Sequence, residues 1–246
     1  MSLTDPNRSF LRSEYGVLHL AHMKRPGLKI PDAQRHLLEG FLRRLMMMQA
    51  GRLEIDELAP TEGGAPVDAD SAVLLNIHLN AFYLNLCGAL DNLAWTLKYE
   101  WALLPDATEA NSARKECSLF GKRFLDEVGH RNRQLASSLA ASAEWNQSLR
   151  DLRDPAAHRI PLYATPGVLP PERLAELKSK EEAALAAIDR DESALPDLDE
   201  ARSLASYLPI FVLSGTEGLS IKSIPEQLGD DHRHFLGIAS EVLGAL

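Results

Sequence analysis

Apolar residues recur at helical spacing along most of the chain, and the longest such pattern covers residues 70–104, ahead of Pro105. At about 100° per residue, Leu75, Leu79, Phe82, Leu86, Leu90, Leu93 and Leu97 share one face. Val73, Ile77, Ala81, Leu84, Gly88 and Trp95 share another. Two apolar faces predict packing on both flanks, the pattern of a central helix in a bundle. Between them run polar stripes, His78, Asn85, Asn92 and Tyr99 on one side and Asn76, Asn80, Tyr83 and Asp91 on the other. Buried polar groups need partners, so the stripes predict either structural hydrogen-bond networks or the wall of a site. Asp91, Asn92 and Asn85 are the candidates for binding residues on this helix.

The remaining pattern supplies shorter elements. A helix over residues 9–23 ends at Pro26 and Gly27. Pro31 and Asp32 open another, with Leu37, Leu38, Phe41, Leu42, Leu45, Met46 and Met48 in helical register until Gly51. Residues 52–68, with Pro60, Gly63, Gly64 and Pro66, read as a loop, and residues 105–129 give little signal. Helices are expected over 131–140 and from Ser142 onward, the latter with Trp145, Leu149, Leu152 and Ala156 as its apolar stripe. Residues 160–171 hold four prolines and read as an extended connector. A charged amphipathic helix then runs from Pro171 to Asp191, and a shorter one covers 198–207, together an exposed arm. Residues 209–214 (PIFVLS) form the one strand-like run, pairing with 162–165 in a two-stranded ribbon. A last helix starts at Asp230 or Asp231 and buries Phe235, Ile238, Val242 and Leu243. The expected fold class is all-α: a single helical domain with a core over 70–165, an arm over 171–207 and a C-terminal helix over 230–246.

Composition narrows the function classes. The chain is 45% hydrophobic and 25% charged, an ordinary globular profile, and its formal charge of -9 argues against a dedicated double-stranded DNA binder. The charge is patterned, however. Residues 1–53 carry nine Lys/Arg against four Asp/Glu and residues 114–159 nine against six, while 54–113 carry one against ten. Cys87 and Cys117 stand in no CxxC arrangement, which predicts neither a zinc ribbon nor a disulfide scaffold, and a reduced cytoplasmic setting is the expectation. No apolar leader pattern opens the sequence, and the polar residues within 72–97 predict a buried helix, with no membrane span. No cofactor is indicated. His19 and His22, or His78, would need further ligands to hold a metal, and His232 and His234 lie on different helix faces, so no metal site is predicted.

Chemistry concentrates in residues 149–163, LRDLRDPAAHRIPLY, where Arg153, Asp154 and His158 meet a helix end. Spacing alone carries little, since Arg12 to His19 and Arg123 to His130 have similar separations. Asp154 directly after the arginine sets this occurrence apart. Five helical residues leave Arg153 and His158 about 140° apart, so convergence on one substrate needs a kink at Pro155 or two motifs paired across a dimer axis. Pro155 either breaks the bond to the Asp151 carbonyl or begins a helix with Asp154 as its N-cap.

The run LRDPAAHRIPLY, preceded by Trp145 and by NAFYLNLCGALDNLAW, resembles the HEPN superfamily, and most closely its uncharacterised bacterial members with an LRD-x3-HRIPLY core. The family pattern is an arginine, a polar residue and a histidine four to six residues beyond; Pro155 departs from the helix former expected there. The resemblance implies a helical bundle, commonly a homodimer with its motifs near the two-fold axis, that binds RNA or nucleotide. It also implies, in active members, metal-independent RNA cleavage of a defence or toxin type, with a possible antitoxin or other protein partner. On that reading Arg153 offsets phosphate charge, His158 takes the 2′-hydroxyl proton and Asp154 orients the imidazole, while Arg150 and Arg159 add binding contacts. The alternative is a non-catalytic helical interaction protein in which the motif is structural.

Overall fold

The computed structural model describes residues 6–59, 65–169, 171–188, 205–215 and 218–246, with side chains from residue 14 onward except at residues 184, 187 and 188. The fold is predominantly helical with one small antiparallel sheet. The chain, read from its pattern as one domain, divides into two compact units. One comprises residues 1–51, 80–159 and 228–246, the other residues 52–79 and 160–227.

In the first unit, α1 (Pro6–Lys24) ends before a 3-10 turn at Arg25–Gly27. A continuous helical run then comprises α2 (Pro31–Arg35), a π segment (His36–Leu42) and α3 (Arg43–Leu58). The helix therefore passes through Gly51, where a loop is expected from the sequence, because Ile55 and Ala59 extend its buried side. The long helix α4 (Ala69–Glu100) stops four residues short of the expected end. Ala102 adopts φ 53°, Leu103 N–H donates to the Lys98 carbonyl at 2.9 Å and Ala102 N–H to Tyr99 at 3.3 Å. This is a Schellman closure with alanine where glycine is usual, a signal that a search for Gly or Pro passes over.

The Glu100 carboxylate accepts from Lys29 N–H at 3.0 Å and Ile30 N–H at 3.2 Å, tying the end of α4 to the start of α2. Further along, Gly40 faces Asn92 and Gly88 faces the Arg44 guanidinium, so the two helical stretches run antiparallel. A Cβ on Gly40 would lie 1.9 Å from Asn92 Oδ1 and one on Gly88 2.5 Å from Arg44 Cζ. Glycine at these two positions makes room for polar side chains between the helices.

The predicted first face of α4 is the buried one. Phe82, Leu86, Leu93 and Leu97 are fully buried, as are Leu37, Phe41 and Phe235, the last two with rings 6.2 Å apart. The second face is not: Val73 and Ile77 are 59% and 56% exposed, and Ala81, Leu84, Gly88 and Trp95 are partly so. Periodicity registers which residues are apolar, not whether a neighbour covers them. By length and composition α4 is the one described helix able to cross a membrane, yet half of its most apolar window is buried inside the protein.

Residues 105–129, poorly signalled in the sequence, hold a 3-10 turn (Ser112–Glu116) and most of α5 (Lys122–Arg131), which buries Phe124 and Val128. Asn132 caps α6 (Arg133–Ala141) by accepting from Leu135 N–H at 3.0 Å, which places the helix start two residues after the expected Arg131. α7 (Ala143–His158) follows. The last helix, α9 (Ile224–Ala245), starts six residues before Asp230, so Asp231 and His232 sit within it and are buried. Asp231 accepts from Tyr83 Oη at 3.1 Å and Trp145 Nε1 at 2.9 Å, and His232 Nε2 lies 2.8 Å from Glu14. Of its polar stripe, Tyr83 thus belongs to a structural network.

In the second unit, β1 (Tyr163–Ala164) pairs antiparallel with β2 (Ile210–Gly215), the pairing expected from the sequence. The sheet has a third strand beyond that ribbon, β3 (Gly218–Ser223), joined through the Gly215–Gly218 pair with Gly218 at φ 119°. One face buries Ala164 and Phe211; the other carries Tyr163, Val212 and Ile221 in one row. Asn76 accepts from Ala164 N–H at 2.7 Å and donates to its carbonyl at 3.2 Å, completing the hydrogen bonds of β1. α8 (Leu174–Ile188) follows a 3-10 turn at Pro171–Arg173. The helix expected over 198–207 lies mostly outside the described residues; of its end, Ser206 forms an isolated bridge with Val168 and Tyr207 is buried.

Candidate functional site

α7 runs unbroken through Pro155, which is buried and continues the stripe of Leu149 and Leu152. Proline has no N–H for the Asp151 carbonyl, so the ladder loses a bond in the last turn and the helix ends three residues later at His158. Asp154 is therefore not an N-cap. Its carboxylate lies 3.1 Å from Arg153 Nη1, and among the described residues it makes no hydrogen bond to His158. The expectation that Asp154 orients the imidazole is thus not what the geometry supplies.

Arg150, Arg153 and His158 nonetheless line one cleft of about 780 Å³, entirely within the first unit. α4 contributes Gly88, Asp91, Asn92 and Trp95; the π segment and α3 contribute His36 and Arg44; the 101–121 segment contributes Glu109, Arg114, Lys115, Cys117 and Ser118. Five Lys/Arg against two carboxylates give a local charge of +3 in a chain of -9. Arg153 and His158 thus border the same cleft within a single chain. Asn85 stands behind the wall, accepting from Arg44 Nη1 at 3.4 Å, whereas Asp154 and Arg159 are not among the lining residues. His36, Arg44, Trp95, Glu109, Arg114 and Lys115 carry no local motif. The basic balance of residues 1–53 and 114–159 is the sequence signal for Arg44, Arg114 and Lys115; His36, Trp95 and Glu109 had none.

The electrostatics are uneven across the cleft. Arg150 has no hydrogen-bond or ion-pair partner among the described residues, so its guanidinium is available to an anion. Asp91 is itself exposed to solvent, yet protein crowds around its carboxyl. That burial pushes its carboxyl above 3.8, against the pull of Arg150, Arg153 and Arg44. Burial likewise pushes the Cys87 and Cys117 thiols up to about 12, which leaves both protonated and non-nucleophilic at neutral pH. Cys87 borders a small enclosed cavity beside the cleft with Asp91, Arg150 and Arg153.

At the other end His36 contacts Asn92 and Glu109 through its two ring nitrogens. Asn92 Nδ2 donates to the Gly88 carbonyl at 2.6 Å, so its Oδ1 accepts from His36 Nδ1 at 3.1 Å. His36 Nε2 donates to Glu109 Oε1 at 3.1 Å, and the ring stacks near Trp95 and Tyr99 with centroids 5.6 and 5.5 Å away. Glu109 also accepts from Arg35 Nη2 at 2.5 Å and Tyr99 Oη at 3.4 Å. Burial raises the Glu109 carboxyl, but hydrogen bonding and charge from His36, with Arg35, outweigh it and hold the group below 4.5.

Among the described residues no group of three or more His, Cys, Asp or Glu is placed to hold a metal ion. No protein-family model matches this chain, and neither a curated protein nor a solved structure does.

Proposed function

We propose that the cleft binds the phosphates of single-stranded RNA or of a nucleotide, the ligand class that the HEPN resemblance implies. The observation that carries the reading is the gathering of Arg44, Arg114, Lys115, Arg150 and Arg153 around one concavity with His158 at its rim. Guanidinium groups bind phosphate oxygens bidentately, and a concave basic wall in an otherwise acidic protein concentrates anions where they are to be held. Among the described residues His158 has no hydrogen-bond partner to orient it, which favours binding over rapid turnover.

The finer reading is metal-independent endoribonuclease activity of a defence or toxin type. His158 would take the 2′-hydroxyl proton, the 2′-oxygen would attack phosphorus to form a 2′,3′-cyclic phosphate, and the bond to the 5′-oxygen would break with that oxygen taking a proton from His158 or water, while Arg153 offsets the charge that develops. A cytoplasmic homodimer and a protein antitoxin belong to the same proposal.

The test titrates a fluorescent single-stranded RNA into wild type, Arg150→Ala and His158→Ala protein, then incubates mixed RNA with each and with Arg153→Ala in EDTA. Loss of binding in Arg150→Ala supports the cleft, and unchanged binding overturns it. Cleavage that disappears in Arg153→Ala and His158→Ala assigns the chemistry; equal background in all proteins leaves a binding protein only. Sedimentation analysis tests the dimer.

A further inference from the structure

The carboxylate of Glu109 sits in a receptor built for an oxyanion. One oxygen, Oε1, accepts from a guanidinium, an imidazole and a phenol at 2.5, 3.1 and 3.4 Å. The receptor is organised from behind. Asn92 fixes His36 through Nδ1, and Asn92 is itself fixed by the Gly88 carbonyl and fits only because residue 40 is glycine. The His36 side chain is only 12% exposed and is flanked by Trp95 and Tyr99, so its Nε2 donor has a set direction.

The occupant is held less firmly than the receptor. The side chains of Glu109 and Arg35 are both about half exposed, at 48% and 51%. Ion pairs of that exposure contribute little to stability. Glu109 also belongs to the 101–121 segment, which outside its 3-10 turn is irregular and is tied down by side-chain contacts, chiefly Arg123 to Asp106 and Glu116. Both His36 and Glu109 line the basic cleft, so an anion entering it meets this carboxylate on a set of donors.

We propose that Arg35, His36 and Tyr99 form a phosphate subsite that Glu109 occupies as an internal ligand, and that a phosphate group of the cleft's ligand displaces it. A phosphate monoester brings more charge and more acceptor oxygens than a carboxylate and can engage all three donors at once. Displacement frees Glu109 from the wall and removes one of the two negative charges lining the cleft, so the site becomes more basic as it fills. The presence of a cleft ligand rests on the function proposed above; the subsite itself does not, because inorganic phosphate tests it directly.

The experiment follows the His36 ring resonances by NMR while inorganic phosphate is added to wild type, Glu109→Gln and Asp91→Asn protein. Glu109→Gln is expected to bind phosphate about tenfold more tightly than wild type, with His36 signals shifting in step, and adding Arg35→Ala to that variant is expected to abolish the gain. In wild type the same signals shift at correspondingly higher phosphate, a reading independent of how well the variant folds. No His36 shift in either protein overturns the subsite. An equal gain from Asp91→Asn shows a general charge effect and overturns displacement. Single-stranded RNA binding by Arg150→Ala, measured alongside, separates the two proposals: its persistence overturns the cleft reading while leaving the phosphate result to stand alone.

Discussion

Gly40→Ala is the sharpest test of how the helices around the cleft are held. On an isolated helix the change stabilises by about 1 kcal/mol, because alanine is the better helix former. Here the new methyl would lie 1.9 Å from Asn92 Oδ1, 2.3 Å from its Cγ and 3.0 Å from its Cβ. A clash that reaches Cβ cannot be relieved by rotating the amide alone, so Asn92 must leave its place. It then gives up the bonds to the Gly88 carbonyl and to His36 Nδ1. Two such bonds are worth about 1 kcal/mol each, and overpacking adds about 1–3 kcal/mol. Against the propensity gain, the net is a loss of roughly 2–4 kcal/mol. Urea denaturation followed by circular dichroism measures it, as a lower midpoint with unchanged slope. The cycle is completed with Asn92→Ala, in whose background Gly40→Ala should be neutral or stabilising. A Gly40→Ala protein as stable as wild type, or the same loss in both backgrounds, refutes the reasoning.

Other outcomes follow from the same geometry. Ala102→Gly removes a left-handed penalty of about 1–2 kcal/mol at the cost of about 0.4–1 kcal/mol of unfolded-state entropy, so the melting temperature should rise slightly; a fall would contradict the Schellman closure. Asp91 has its folded-state carboxyl raised above 3.8 by burial, so the folded protein holds that proton more tightly than the unfolded chain. Its contribution is fully present below the unfolded value and is lost as pH rises through the folded one. Asp91→Asn should therefore gain stability over wild type as pH rises from about 3.5 to 7, measured as the difference in urea midpoints, and a difference that does not change with pH would sink the assignment. Tyr83→Phe removes a donor to the buried Asp231 and should cost about 1 kcal/mol, while Asp231→Ala strands both Tyr83 and Trp145 and should cost more; equal losses in urea midpoint would contradict the shared acceptor.

Much of the architecture was legible because burial leaves a period. The stripe from Leu75 to Leu97 marked α4 and its buried face, and the strand-like apolar run at 209–214 marked β2 with its partner at Tyr163–Ala164. Ends were less legible. Gly51 looked like a stop, but a glycine within a helix costs only about 1 kcal/mol, and the burial of Ile55 exceeds that. Ala102 carried no sign that it would turn left-handed. Of the candidate site residues, Asp91, Asn92, Arg150, Arg153 and His158 line one cleft, Asn85 lies behind it, and Asp154 and Arg159 fall outside its lining.

By itself the sequence determined the helical class, the buried stripe of the central helix and the clustering of Arg150, Arg153 and His158 near a helix end, since each is a property of neighbours along the chain. Only the tertiary structure decided what faces them. Arg44, His36 and Glu109 reach the cleft from segments about 40 to 120 residues away along the chain; the absence of a side chain at Gly88 makes room for Arg44, and that at Gly40 makes room for the Asn92 that contacts His36. A missing Cβ has no meaning until a second helix lies against it, which is why the walls of the site could not be read from the sequence.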